Sequence, residues 1–337
     1  FRPRLCFPGA EPAGPAVCPA ESKGGMTPLA KTILKRLGLL LLTLVLVTAL
    51  AFLAFSIVPG DPTSSIVGVD ATEEQIATVR AQLGLDLPIW QRYLNWVGSF
   101  VTGDFGRSYN FEMPVADLLA PRIGVTLTLA AIAFVLIVAV SLPLGILAAR
   151  HQGGVIDRVL TVLNQITMSI PGFLVGIALT YIFGLVLKWF TPGAYAPPSQ
   201  GVGQYLWYLF FPAMAVALPK AAMTVKMLRG SVLSEMGADY IRTAYSKGNT
   251  MTSALWRHVL RNAMIPVVTF LAMTMADIVA GSIVVEQVFA IPGLGQMLIS
   301  SIGNRDYPVV QAVVVIIASV VVLCNFAADL LYRVMDP

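Results

Sequence analysis

Six long apolar stretches, separated by polar segments, divide the chain. They cover residues 37–58, 123–149, 159–187, about 205–228, about 263–285 and 308–328. Each is long enough to cross roughly 30 Å of hydrocarbon as an α-helix. The pattern predicts an all-α, polytopic membrane protein with six transmembrane helices. Pro171-Gly172 predicts a kink in the third of them.

The polar segment 59–122 is too long for a turn and carries helix signals of its own. Thr72 and Gln75 form a capping-box pattern, which predicts a helix near 73–83 that stops at Gly84. Pro88 suits the first turn of a second helix. The apolar stripe of that helix consists of Ile89, Trp90, Tyr93, Leu94, Trp96, Val97 and Phe100. The stripe is expected either at the outer membrane interface or packed on the helix bundle.

The order of these segments predicts three parts. Residues 1–25 contain five prolines and four glycines without a helical or strand period, so we expect a disordered tail over 1–30. The first transmembrane helix and the external helical segment follow over 31–122. The core transmembrane domain spans 123–337 and includes a cytoplasmic loop at 229–262.

The composition agrees with a membrane protein and excludes several other classes. The 337 residues are 57% hydrophobic and only 12% charged, about half the roughly 25% of a soluble domain. A soluble globular protein, a disordered chain and a nucleic-acid-binding module are therefore excluded. The three cysteines, Cys6, Cys18 and Cys324, form neither a disulfide framework nor a metal-site spacing.

Basic residues predict the orientation of the chain in the membrane. With the N-terminus in the cytoplasm, the inside segments after Met26 hold twelve Lys and Arg, and the outside segments hold six. The outside segments also hold ten of the eighteen acidic residues. The positive-inside rule therefore places both termini in the cytoplasm.

Catalytic motifs are absent from the sequence. His151 and His258 are the only histidines, and HExxH, GxSxG and CxxC do not occur. A Gly-Lys dipeptide is also absent, so the chain has no P-loop and cannot bind ATP through one. Ser282 lies in an apolar stretch without a basic residue placed to activate it. We therefore predict that the chain is not an enzyme and has no cofactor of its own.

The stretch EMGADYIRTAYSKGNTMTSALWRHVLRNAMIPV, residues 235–267, is basic, amphipathic and helical in pattern. It resembles the cytoplasmic loop of ABC-importer permeases of the dipeptide/oligopeptide/nickel branch. Arg242-Thr243-Ala244 and Gly248 occupy the slots of the general Glu-Ala-Ala…Gly signature, without its glutamate, and Ile265-Pro266 lies further from the glycine than in sugar permeases. Both departures from the general signature are typical of the dipeptide/oligopeptide/nickel branch.

Further motifs in the same order strengthen the resemblance, which covers roughly residues 30–337. They are Pro59-Gly60-Asp61-Pro62, Gln82-Leu83-Gly84-Leu85-Asp86, Gly103-Asp104-Phe105-Gly106, Ser169-Ile170-Pro171, Val285-Glu286-Gln287-Val288-Phe289, Pro292-Gly293-Leu294-Gly295 and Asn304-Arg305-Asp306-Tyr307-Pro308.

The resemblance implies the type I permease fold of ABC importers and a place in the cell membrane of a prokaryote. Its implied partners are a second homologous permease subunit in a heterodimer, two nucleotide-binding ATPase subunits that hold ATP and magnesium, and an external substrate-binding protein. Nucleic acid is not an expected partner. The cargo is expected to be a peptide, with nickel or another small solute as the alternative. Histidine is scarce in the spans, which argues against a metal path formed by imidazoles. A stand-alone secondary transporter is the competing class.

The resemblance also implies a set of residues that couple the chain to the ATPases. They are Asp239, Tyr240, Arg242, Thr243, Ala244, Tyr245, Ser246, Lys247 and Gly248. We expect short helices that meet at a bend near 246–249. The apolar faces of Ile241 and Ala244, with Tyr245, are expected to pack against the partner. The alternative is a solvated basic loop that binds anionic lipid.

Two further groups of residues complete the expected site. The pathway candidates are Asp277, Gly281 and Ser282. A lone aspartate near mid-membrane costs about 2.5–3.5 kcal/mol on insertion scales, so Asp277 should avoid lipid. Lys220 either pairs with it or extends to the cytoplasmic surface. The external docking candidates, in a segment that could instead be a simple connection, are Glu286, Phe289, Pro292, Gly293, Asn304, Arg305 and Asp306.

Overall fold

The computed structural model describes residues 28–57, 72–82 and 86–335 and is helical throughout most of them. The helices are α1 Pro28–Ile57, α2 Glu73–Gln82, α3 Ile89–Val101, α4 Val115–Arg150, α5 Val155–Ser169, α6 Gly172–Leu179, α7 Val202–Met236, α8 Asp239–Ser246, α9 Met251–Ala254, α10 Leu260–Val288, α11 Leu294–Gly303 and α12 Tyr307–Met335. Within these described ranges the only β-type pairing is an isolated bridge between Arg107 and Pro114. The all-α prediction is confirmed.

Several predictions fall on residues outside these ranges. The greater part of the predicted tail, the Pro59-Gly60-Asp61-Pro62 motif and the predicted helix stop at Gly84 all lie there. The chain divides into two units within α1, between Leu39 and Leu40. In the first unit, α1 begins at Pro28, three residues before the predicted boundary at 31. The second unit contains the rest of α1 and all the other helices.

Among the described residues, five helices are long and apolar enough to cross a membrane, and a bent pair supplies a sixth span if it crosses as one. Four of the five reach beyond the predicted apolar limits at both ends, and α1 does so at its start. For example, α4 has 36 residues and α7 has 35, which correspond to about 54 Å and 52 Å. Hydrophobicity marks only the part of a helix in hydrocarbon, and the helix itself continues into the polar layer on either side. Within the predicted cytoplasmic loop at 229–262, residues 229–236 form the end of α7 and residues 260–262 the start of α10.

The third predicted span breaks at the expected place, but it bends far more than a kink. The axes of α5 and of the segment from Gly172 to Val186 differ by 99°. Ile170 has extended backbone angles, φ −94° and ψ 123°, as expected for a residue before proline. Gly172 lies so close to α7 that a Cβ there would be 3.3 Å from the carbonyl oxygen of Ala215. The bend therefore folds the second half of the span onto α7.

Helices α2 and α3 were predicted to lie on the outside, and the apolar stripe of α3 shows features of both predicted alternatives. The capping box is present, because the Thr72 amide donates to Gln75 Oε1 at 3.1 Å and the Gln75 amide to Thr72 Oγ1 at 3.4 Å. In α3, Tyr93 and Trp96 pack on Phe52 of α1, with ring centroids 5.6 and 5.7 Å away. The opposite edge of the stripe is exposed: Ile89, Trp90 and Leu94. One edge of α3 thus packs on the bundle and the other is free for a membrane interface.

The core lies where α4 packs along α7. Gly145 permits their close approach, since a Cβ at this position would lie 2.7 Å from Leu228 Cδ2. On the side where α4 ends, Arg229 of α7 forms a two-pronged ion pair with Asp157 of α5 at 2.6 and 2.8 Å. The Asp157 side chain is only 5% exposed, so the pair fixes α5 to α7.

Candidate functional site

The expected ATPase-coupling segment forms the helix α8 between α7 and α10. Exposed side chains cover its outer face: Asp239, Tyr240, Arg242, Thr243, Tyr245, Ser246 and Lys247. Ile241 and Ala244 are 0% and 8% exposed and pack into the chain's own core. The prediction that these two residues pack against a partner was therefore wrong. An amphipathic helix buries its apolar face first, and here the chain itself covers it.

The predicted bend near 246–249 is confirmed. The amide of Lys247 donates to the Thr243 carbonyl at 3.2 Å, and the amide of Asn249 donates to the Ala244 carbonyl at 3.2 Å. Gly248 has φ +83°, a left-handed conformation that glycine adopts without strain. A Cβ at Gly248 would meet nothing within 4 Å, so the backbone angle and not the space explains the glycine.

Tyr240 connects α8 to both of its long neighbours. Its hydroxyl donates to Glu235 Oε2 at the end of α7 and accepts a hydrogen bond from Asn262 Nδ2 at the start of α10, at 3.2 Å. Burial, with a smaller contribution from the Glu235 carboxylate, raises the pKa of this hydroxyl, which therefore keeps the proton it donates. A displacement of α8 therefore pulls on α7 and α10 together.

A cavity of about 580 Å³ opens beside this connection. Glu235 and Asn262, the two partners of Tyr240, both line it. Most of the lining comes from α7 and α10, and much of it is apolar: Met168, Met223, Met227, Ala263, Pro266 and Phe270. Its volume is within the usual range for a small-molecule site.

The pathway candidates lie on two different faces of α10. Asp277 Oδ2 is 2.7 Å from Lys220 Nζ of α7, so Lys220 forms the direct pair and does not turn away to the membrane surface. Gly281, one turn further on, is exposed, with open space at its Cβ position. Ser282 is fully buried and donates to the Val279 carbonyl at 2.9 Å. The structure thus separates Ser282 from the exposed face that carries Asp277 and Gly281.

Glu286 is completely buried at the end of α10. Its carboxylate accepts hydrogen bonds from Thr126 Oγ1 at 2.8 Å and from the Gly295 amide at 2.7 Å, with longer bonds from Ser282 and Gln296. The Leu294 amide donates to Thr126 Oγ1 at 2.9 Å. These bonds attach the start of α11 to both α4 and α10.

The two glycines beside Glu286 leave room for its carboxylate. A Cβ at Gly293 would overlap the carboxylate, with Glu286 Oε1 at 2.8 Å. A Cβ at Gly295 would lie 2.9 Å from the carbonyl oxygen of Ile283 and closer still to its Cα. The Pro292-Gly293-Leu294-Gly295 motif thus has a steric explanation, which its sequence pattern alone did not give.

Asp306, just before α12, is the second buried acid among the docking candidates. It attaches the start of α12 to the segment between α3 and α4. It accepts hydrogen bonds from Ser108 Oγ, from the Tyr109 amide at 3.1 Å and from the Asn110 amide at 3.4 Å. Burial and the nearby Asp306 carboxylate raise the pKa of Tyr109. Sequence reasoning missed Ser108, whose only signal was its place just after the Gly103-Asp104-Phe105-Gly106 motif.

The external docking candidates therefore differ in accessibility. Glu286, Phe289 and Asp306 are at most 1% exposed, so their side chains cannot touch an external protein. The backbone carbonyl of Phe289 accepts a hydrogen bond from the Tyr208 hydroxyl at 2.7 Å. Gly293 is buried and Pro292 half-buried, whereas Asn304 and Arg305 are exposed. A docking role for the group stays a prediction.

Comparisons with known proteins agree with this architecture. The family model described as the inner membrane component of binding-protein-dependent transport systems matches residues 141–337. A second model, described as the N-terminal part of the membrane component of such systems, matches residues 29–130. A protein of Sinorhizobium fredii named as a probable peptide ABC transporter permease is 35% identical over 305 residues, which are 90% of this chain and 97% of that protein. The glutathione transport system permease protein of Escherichia coli is 36% identical with the same coverage.

Proposed function

The chain belongs to the inner membrane components of binding-protein-dependent transport systems, and on this premise we propose that it forms half of the pathway through which an ABC importer moves peptides. The observation that carries the cargo class is the similarity, over 90% of the chain, to permeases named for peptide and glutathione transport. The exposed ion pair between Lys220 and Asp277 supports a charged cargo.

The remaining partners follow from the same proposal. A second permease subunit completes the pathway in a heterodimer, two ATPase subunits bind and hydrolyse ATP with magnesium, and an external protein delivers the peptide. The excess of basic residues in the inside segments supports an orientation with both termini and α8 in the cytoplasm. Asn304 and Arg305, exposed at the other end of the core, are then available to the delivering protein.

The coupling step is proposed to run through α8. Tyr245, Arg242 and Lys247 offer aromatic and charged contacts on its exposed face to an ATPase subunit. Since Ile241 and Ala244 are packed into the core, α8 follows the ATPase only if α7 and α10 follow as well. The bonds of Tyr240 to Glu235 and Asn262 then transmit the movement to the cavity.

Reconstitution of the complete importer in proteoliposomes tests this function. We expect uptake of a radiolabelled dipeptide or tripeptide that requires the external binding protein and ATP, and no uptake of nickel ions under the same conditions. The control replaces the ATPase subunits with hydrolysis-deficient ones. Nickel uptake without peptide uptake would reject the peptide assignment, and uptake that needs neither ATP nor a binding protein would reject the importer itself.

A further inference from the structure

An ion pair lies on the exposed side of two long apolar helices. Lys220 is about halfway along α7 and Asp277 just beyond the middle of α10, and their charged atoms are 2.7 Å apart. The side chains are 26% and 63% exposed in the single chain. Charged side chains are costly in hydrocarbon, so whatever covers this face in the membrane must be polar: water, cargo or a polar protein surface.

The same face leads to the cavity. On α7, Met223 and Met227 follow Lys220 at helical spacing, and both line the cavity. On α10, Phe270 lies two turns from Asp277 and also lines it. The ion pair therefore stands at one end of a continuous strip along two helices, with the cavity of about 580 Å³ at the other end.

We propose that Lys220 and Asp277 bind the charged ends of the peptide as it passes through the membrane. This inference rests on the peptide cargo proposed above and assigns a binding site for it. A peptide with free ends carries an ammonium group and a carboxylate, which are complementary to Asp277 and Lys220 respectively. When the site is empty, the two side chains neutralise each other and remove the cost of an isolated charge.

The properties of the pair match such an exchange of partners. Asp277 is the more exposed member, so a peptide ammonium group can approach it from outside the pair. Lys220 has four methylene groups over which to move and three donors, so it can follow a carboxylate without displacement of the helix. The flexible methionines at positions 223 and 227 can adapt to different peptide side chains.

The proposal is tested by measuring how the reconstituted importer takes up peptides with modified ends. The variants are Asp277→Asn and Lys220→Met, with Val135→Leu, at an exposed position on α4, as the control. Each variant is compared with the unsubstituted permease for the same dipeptide, either with free ends, acetylated at the amino end or amidated at the carboxyl end. Differences in delivery by the binding protein then cancel, because one binding protein serves every permease.

The expected result is a crossed pattern. Asp277→Asn should reduce uptake of the free dipeptide about tenfold, the loss expected for one charge-assisted hydrogen bond, and leave uptake of the acetylated peptide within about twofold. Lys220→Met should likewise reduce uptake of the free dipeptide about tenfold and leave uptake of the dipeptide amidated at its carboxyl end within about twofold. Val135→Leu should change uptake of none of the three peptides. Equal losses for all three peptides would overturn the proposal and assign the pair to folding or subunit contact.

A labelling measurement covers the case in which modified peptides are not delivered. With Cys6, Cys18 and Cys324 replaced by serine, Gly281→Cys introduces a thiol one turn from the intact pair. A charged thiol reagent should modify it in the importer, and peptide with ATP should slow the reaction at least about threefold, since a bound ligand blocks access. Val135→Cys, an exposed position on α4, is the control. Labelling that is no faster than at Val135, or that peptide does not slow, would overturn the proposal.

The outcomes separate this proposal from the function on which it rests. If the unsubstituted importer takes up no peptide, the proposed function fails. If it takes up peptide, but the variants show no dependence on the peptide ends or Gly281→Cys shows no protection, only the binding site fails.

Discussion

The substitution Gly295→Ala should destabilise the protein because its added methyl group has no space. The second residue of α11 lies against the backbone of α10, where a Cβ would come within 2.9 Å of the Ile283 carbonyl oxygen. It would also lie 3.0 Å from Glu286 Oε2, which accepts the Gly295 amide hydrogen at 2.7 Å. The methyl group thus forces α11 away from α10 and weakens that hydrogen bond as well.

The magnitude follows from the kind of atom that obstructs the methyl group. Overpacking a core typically costs about 1–3 kcal/mol, and the upper end applies where backbone atoms cannot turn aside. The loss of about 3 kcal/mol corresponds to a Tm decrease of roughly 6 °C in a large domain. Gly303→Ala is the matched control, since a Cβ at the other end of α11 meets nothing within 4 Å. It should leave the Tm unchanged or raise it slightly.

The assay is the fraction of detergent-solubilised importer that remains monodisperse after heating, read by size-exclusion chromatography at a series of temperatures. The reasoning is refuted if Gly295→Ala and Gly303→Ala unfold within about 1 °C of each other. It is also refuted if Ile283→Ala restores the Tm of Gly295→Ala, because the obstruction would then be a side chain and not the backbone.

Three further predictions concern the coupling segment. Gly248→Trp should abolish uptake while the protein still inserts in the membrane, because the φ of +83° strains any residue with a Cβ; Gly248→Asn, which tolerates this conformation, should retain more uptake. Tyr240→Phe removes the hydroxyl that joins α7 and α10, so peptide imported per ATP hydrolysed should fall severalfold, whereas Tyr245→Phe should leave that ratio closer to the unsubstituted value. A cysteine at Lys247 should react with membrane-impermeant reagents in inverted vesicles but not in intact cells, and ready labelling in intact cells would overturn the orientation.

The spans were predictable because hydrocarbon thickness imposes a minimum apolar length. The helix at Glu73–Gln82 was predictable because the capping box of Thr72 and Gln75 is a local signal. Likewise, Gly248 followed by polar residues marked the bend after α8. Each of these features depends on contacts between residues close in the chain.

The features that sequence reasoning missed depend on contacts between distant residues. The 99° bend at Pro171 needs the close approach to Ala215, and proline alone fixes the place of a bend but not its angle. The burial of Glu286 and Asp306 is set by donors more than 150 positions away, Thr126 and Ser108. The sequence alone predicts that an acidic residue in a polar segment is exposed, because it does not show which distant donors surround the carboxylate.

The rotation of each helix about its axis was the second missing quantity. Ile241 and Ala244 form an apolar stripe, and the sequence does not say whether the chain itself or a partner covers it. Ser282 and Gly281 are neighbours, yet one is buried and the other exposed, because adjacent residues lie about 100° apart around a helix.

The hydrogen bonds of Glu286 give α10 one fixed end. At that end the helix is tied to α4 and α11, whereas near its other end Asn262 donates a hydrogen bond to the Tyr240 hydroxyl of α8. The 29 residues of α10 extend about 43 Å. A tilt of only about 5° around the fixed end would displace the opposite end by roughly 4 Å, enough to widen one mouth of a passage while the other stays shut. The buried hydrogen bonds of Glu286 would thus form the pivot of this tilt.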